Sequence, residues 1–271
     1  MTIGIGVLAS EGEGIQPNRL VLIADTQGTF GGAHSMNRLH KIFVAADIRV
    51  YACGAGKIDR AAELFQVIMD LSKVIQGGTQ RYGSIMETVR ASADLYKRVR
   101  FKMEVLPSFA RMPQSIPDMF TDEHLTSELL TKWREFDFGC QMIVGAFNQA
   151  GQAVLIYIES TGEIENFTFP GFAAIGSGLD NAMFWLSYRN HNYTFPVRRS
   201  AYHAFEAKIM AESSPFVNEK IDMLIASGDG WAKISDTFGV EGGPPISLQE
   251  LRDLFKFYGP KDTAIEIDEN K

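Results

Sequence analysis

The sequence predicts an α+β chain folded as a four-layer αββα sandwich, two stacked sheets with helices on the outer faces. Two observations predict it. Strands and helices come in blocks: four strands, two helices, an interruption, more strands, two helices and two last strands. The helical segments are amphipathic, so each is suited to cover a sheet. No unit repeats at solenoid length, and 45% hydrophobic residues in a chain of 271 supply a large core.

Ile3 to Ser10 reads as a strand, with Ile3, Ile5 and Val7 on one face. Thr2, Gly4 and Gly6 fall on the other face, which is expected to leave space beside the threonine. Glu11 to Asn18 is a polar loop. Leu20 to Ala24 is continuously apolar, a strand buried on both faces that ends at Asp25. Thr26 to Asn37 is a glycine-rich loop. Lys41 to Ala46 and Ile48 to Cys53 are strands around a turn at Asp47, and Gly54-Ala55-Gly56 is expected to break the second of them.

Two helices follow. Ala61, Leu64, Phe65, Ile68 and Leu71 mark the first; Ile85, Val89, Ala93, Tyr96 and Val99 mark the second, over Ser84 to Met103. Residues 106 to 138 read as an insertion with Pro107, Pro113 and Pro117, then a charged stretch, Thr121 to Arg134, with helical character. Gln141 to Phe147 and Ala153 to Glu159 form a hairpin. Ile164 to Phe169 and Phe172 to Ile175 are further strands. Helices are expected over Leu179 to Tyr188, which carries Met183, Phe184 and Leu186, and over Arg199 to Ala211. Strands Ile221 to Ala226 and Trp231 to Ile234 close a main domain, residues 2 to 239. Residues 240 to 271 form a C-terminal extension with a short helix at Leu248 to Phe257.

Net charge is -7 and no basic run stands out, so no nucleic-acid partner is expected. Cys53 and Cys140 lie in apolar runs and read as small buried residues rather than a disulfide framework. The longest early apolar run is short and lacks a basic flank, so neither a signal peptide nor a membrane span is expected. A soluble, cytoplasmic protein follows from these readings. His34, His40, His124, His191 and His203 show no metal spacing, and no phosphate-binding glycine motif opens a helix. No metal, cofactor or ATP site is expected.

Thr2 stands directly behind Met1. Removal of Met1 would leave a hydroxyl nucleophile and an α-amino base on one residue. Alone, Thr2 equally suits the opening of a strand. Asp25 alone suits a turn, Lys41 a strand edge, and Gly54 and Gly176-Ser177-Gly178 ordinary turns. Their joint order and spacing carry more.

The runs Leu22-Ile23-Ala24-Asp25-Thr26-Gln27-Gly28-Thr29, Lys41-Ile42-Phe43, Cys53-Gly54 and Ala174-Ile175-Gly176-Ser177-Gly178 resemble the proteasome β-subunit family, including the simpler HslV-like peptidases. The likeness covers most of residues 2 to 235 and implies the N-terminal nucleophile (Ntn) hydrolase fold. It implies Thr2 as the catalytic nucleophile, Asp25 and Lys41 as the acid–lysine pair at the family's sixteen-residue step, and Ser177 near the threonine amine. It also implies Gly54 as oxyanion donor and Thr29 as a backbone partner of the substrate strand. Small residues at Ala52 and Gly56 are expected to leave an open first pocket. The family's late acid–serine pair has Glu212-Ser213-Ser214 as its nearest candidate here.

The chemistry suits those roles. An α-amino group has a reference pKa of roughly 8. A nearby Lys41 ammonium favours the neutral amine, and Asp25 would hold Lys41 charged and aimed. The resemblance implies a threonine peptidase subunit that forms a homo-oligomeric ring or helical assembly. It would cleave unfolded protein or peptide, with a separate ATPase partner for folded substrates. Two rival readings stay open: a catalytically inactive structural subunit, and an Ntn-type amidase acting on small amides.

Overall fold

The structure, a computed structural model, describes residues 3–11, 16–30, 34–36, 40–76, 84–107, 123–236, 239–241 and 245–260. Among these residues it is a mixed α+β arrangement of two antiparallel sheets, a small two-stranded ribbon and six α-helices. No described helix is long and apolar enough to cross a membrane.

The first sheet runs β10-β1-β2-β11-β12-β13, with β1 (Ile3–Ala9), β2 (Arg19–Asp25), β10 (Phe172–Gly176), β11 (Ile221–Ser227), β12 (Trp231–Ser235) and β13 (Gly239–Glu241). The second runs β5-β6-β7-β8-β9, with β5 (Ile42–Ala45), β6 (Val50–Gly56), β7 (Cys140–Phe147), β8 (Ala153–Ile158) and β9 (Ile164–Asn166). Three apolar cores alternate with the sheets. Leu20, Leu22, Tyr51, Ile143 and Leu155 belong to the one between them. Helices α1 (Ile58–Gln76), α2 (Ile85–Glu104) and α3 (Glu123–Glu135) bury Leu64, Ile68 and Val89 on the second sheet, with Trp133 packed against that core. Helices α4 (Leu179–Tyr188), α5 (Val197–Ala211) and α6 (Leu248–Tyr258) bury Leu186, Phe205 and Leu251 on the first.

The two-residue period of β1 sorts its side chains as the sequence implies, but the glycine face is not empty. A Cβ on Gly4 would lie 2.9 Å from Ile175 Cγ1 and 3.1 Å from Cys53 Sγ. One on Gly6 would lie 2.9 Å from both Ile143 Cγ2 and Leu155 Cδ1. The second sheet and β10 fill the space beside Gly4 and Gly6, because close sheet packing leaves no room for voids.

Among the other elements, some expectations are corrected and others hold. The stretch read as a loop after Asp25 contains the ribbon β3 (Gly28–Phe30) and β4 (His34–Met36), paired Thr29↔Ser35. Gly54-Ala55-Gly56 does not break β6, which pairs with β7 out to Gly56↔Cys140. Val99, placed on the apolar stripe of α2, is exposed, while Phe101 is buried. Ser84 caps α2, its Oγ accepting the Glu87 amide at 3.2 Å. The second half of the expected insertion is α3. Beyond residue 239, β13 extends the first sheet and Ile246 and Leu251 enter its outer core. Cys53 and Cys140 are buried free thiols, and burial pushes both up to about 12.

Candidate active site

The ends of four strands meet at the start of β1. Register sets the meeting: Ile3 pairs with Gly176 on one side, and Gly4 pairs with Ala24 on the other. Asp25, the next residue of β2, turns its carboxylate to that corner. Its Oδ1 accepts the Ile3 amide at 3.0 Å and the Lys41 ammonium at 2.7 Å, and its Oδ2 accepts the Gln27 amide at 3.2 Å. Lys41 directly precedes β5, so the pair also joins the two sheets. Asp25 is 0% exposed and Lys41 3%. A buried ion pair persists only when its geometry offsets the loss of water, and three donors on one carboxylate do so. Burial lowers the Lys41 ammonium below its ordinary value, and Asp25 opposes that shift by attraction and by its hydrogen bond.

Thr2, expected as the nucleophile, lies outside the described residues. Ile3, the residue after it, is held by the Asp25–Lys41 pair through its amide.

Gly54 lies beside the pair, on β6. Its amide donates to the Lys41 carbonyl at 2.9 Å. The group expected as an oxyanion donor is thus engaged in the strand ladder. It reaches a substrate oxygen only by sharing its hydrogen or by leaving that bond. The glycine has a packing reason too: a Cβ there would stand 2.7 Å from Ala61 Cβ on α1. Ala52, expected at an open pocket, is enclosed in the core beneath α1. Gly56, with φ +86°, does border open space. It lines a cleft of ≈ 370 Å³ together with Ala55, Gln141, Gly176 and Ser177.

Ser177 follows the partner of Ile3 and is exposed at that cleft. Gln141 fixes this corner, and sequence reasoning passed over it. Its Oε1 accepts the Gly176 amide at 3.1 Å, and its Nε2 donates to Tyr157 Oη at 3.1 Å and to Glu159 at 2.9 Å. The available signal was one amide side chain at the start of the otherwise apolar strand 140–147.

The late acid–serine candidate is drawn elsewhere. Ser213 Oγ donates to the Met210 carbonyl at 2.9 Å and accepts from Asn181 at 2.7 Å, and the Ser214 amide closes onto the Ala211 carbonyl. Glu212 pairs with Lys208, which is wholly buried and lies close enough for its charge to reach Asp25. Lys208 was also missed, although it sits at helical spacing from Ala201, Ala204 and Ala211, all buried.

A second buried acid, Asp222, lies one residue past the partner of Asp25 on β11. Lys233 approaches its Oδ2 at 3.0 Å and His40 at 3.6 Å, and this group holds the residue before Lys41 against the first sheet. Among the described residues no cluster of histidine, cysteine and carboxylate side chains is arranged to hold a metal.

The arrangement can therefore hold a buried lysine–carboxylate pair against the opening residues of the chain, beside a small open cleft. No family model matches this chain, and no curated protein matches it.

Proposed function

We propose that the chain is an Ntn hydrolase of the proteasome β-subunit type, a threonine peptidase subunit of a self-compartmentalised cytoplasmic assembly, with Thr2 as nucleophile once Met1 is removed. The observation that carries the proposal is the buried Asp25–Lys41 pair bonded to the Ile3 amide, one residue beyond Thr2.

The reaction is acyl transfer in two steps. The Thr2 amine takes the hydroxyl proton as the oxygen attacks the peptide carbonyl. The C–N bond then breaks, the leaving amine carries off that proton, and a threonyl ester remains. Water attacks the ester, again giving its proton to the amine, and the carboxylic product departs with the hydroxyl restored. The Lys41 ammonium supplies the positive charge that favours both the neutral amine and the developing alkoxide. Substrate lies extended by strand addition between the Thr29 and Gly54 segments, with Gly56 at the first pocket. Unfolded protein or peptide is the substrate class, a separate ATPase feeds folded proteins, and the chemistry needs no cofactor.

One observation favours a second reading, a structural subunit without activity: the Gly54 amide is already bonded to Lys41. Intact mass before and after incubation with a peptide epoxyketone separates the two. This warhead bonds to the hydroxyl and the amine of one N-terminal residue. Loss of Met1 with a single adduct, absent in Thr2→Ala, is the expected result. A retained Met1 and no adduct would leave the structural reading.

A further inference from the structure

Lys208 is a wholly enclosed charge near the site. It lies on α5, the helix packed on β1 and β2, and its side chain is 0% exposed. Its ammonium donates to the Asn218 carbonyl at 2.7 Å and to the Glu212 carboxylate. The Asn218 carboxamide oxygen accepts the Thr26 amide at 3.4 Å, and Thr26 is the buried residue next to Asp25. A line of contacts thus runs from Lys208 through Asn218 to the turn that carries Asp25.

The charges facing Lys208 come from four places: Glu212 at the end of its own helix, Asp25 on β2, Lys41 before β5 and Asp236 past β12. Asp236 is itself held by Arg252 of α6 at 2.7 Å. Glu212 is 24% exposed, so water screens part of its charge, while Asp25 is shared by two ammonium groups in a dry setting. Like charges there disfavour one another.

We propose that Lys208 is a positioning residue for the Asp25–Lys41 pair, a second buried ammonium tied through Asn218 to the turn that carries Asp25. The catalytic meaning rests on the peptidase reading, but the electrostatic link does not. Lys208 acts through Asn218 and Asp25 on the pair.

The test is a titration that needs no turnover. The chain is labelled with ¹³C at lysine Cε, and Lys41→Arg and Lys208→Arg each remove one signal to assign it. In Lys208→Met the Lys41 midpoint is expected to move up by about half a unit or more, while Lys208→Arg keeps it. An unmoved midpoint in Lys208→Met overturns the proposal. If that variant does not fold, the wild-type chain decides. Coupled curves, each carrying an inflection at the other's midpoint, support the link, and two independent single-midpoint curves overturn it. For an active chain, Lys208→Met also moves the alkaline limb of the rate profile to higher pH, whereas a merely structural role scales the rate and leaves its shape. Coupled titration without an epoxyketone adduct would remove the peptidase reading and leave this link standing.

Discussion

The Ile3 amide donates to Asp25 Oδ1 at 3.0 Å, onto the same oxygen that receives the Lys41 ammonium at 2.7 Å. One carboxylate oxygen thus ties the opening of the first strand to the bridge between the two sheets. The geometry of the chain's start and the charge of the lysine cannot change independently. That coupling separates this pair from a surface salt bridge, which contributes little.

Asp25→Asn tests the charge while keeping an acceptor for Ile3. It strands the Lys41 ammonium in a dry site, and breaking a buried pair in this way costs roughly 3–5 kcal/mol. Urea unfolding at pH 7 should show that loss. It should shrink at high pH, because burial already lowers Lys41 and a neutral amine no longer needs the carboxylate. A stability difference that is the same at pH 7 and pH 10 would show that the lysine charge is not the cause.

Lys41→Met removes the cation and leaves Asp25 with the Ile3 and Gln27 amides, at 3.0 and 3.2 Å. Those two donors keep the carboxylate solvated in part, so the chain is expected to fold. Peptide cleavage should fall by roughly 10²–10⁴-fold, the scale of a lost acid–base partner. Circular dichroism alongside a fluorogenic peptide assay checks both halves. A rate within a few-fold of wild type would remove Lys41 from the chemistry.

Gly54→Ala would place a Cβ 2.7 Å from Ala61 Cβ and 3.2 Å from Phe43 Cε2. The strand and α1 would have to part, at a cost of about 1–3 kcal/mol. Ala61→Gly removes the opposing methyl at a helix penalty of about 1 kcal/mol. The double variant should therefore be more stable than the sum of the two single losses implies. Strict additivity in thermal unfolding would mean that the Gly54–Ala61 contact is not what excludes a side chain.

The sequence carried the parts of this structure that depend on long periodic runs. The apolar run 20–24 and the stripes of α1 and most of α2 are long or regular enough to be read as a buried strand and two covering helices. The Asp25–Lys41 step was legible only through its resemblance to a family pattern, because alone an acid after a strand suits a turn and a lysine a strand edge. The ribbon of β3 and β4 was not, since three-residue strands offer too few alternating positions among glycines. Val99 misled because the buried face of α2 turns to Phe101 at its end, where Trp133 and Phe136 of the α3 region pack. That contact crosses residues distant in sequence. Gln141 stood as a single polar exception in an apolar strand and Lys208 among several polar residues of α5, and only their hydrogen bonds to the Gly176 amide and the Asn218 carbonyl show what they serve.

A last prediction concerns two buried histidines behind β1. His191 Nε2 lies 3.2 Å from the Leu8 carbonyl, which only accepts, so that nitrogen carries the proton. His191 Nδ1 is then an acceptor, and His203 Nδ1, 3.2 Å away, must donate to it. Both rings are neutral in this arrangement. Burial lowers His191 to about 4, and burial with the neighbouring His191 and Arg199 lowers His203 to about 3. The unfolded chain takes up protons near pH 6.5, before the native chain does. Between about pH 6.5 and 4 the unfolded state therefore binds more protons, and stability rises with pH across that window. The contribution is complete above pH 6.5 and is lost on acidification, with a slope approaching roughly 1.4 kcal/mol per unit for each histidine. Urea unfolding at pH 7.5, 6.5 and 5.5 should show this loss before most carboxylates titrate. In His203→Gln, whose amide can still donate to His191, the slope should fall to about half of wild type. A flat profile from pH 7.5 to 5.5 in the wild-type chain would mean that the pair is already charged or hydrated in the native state.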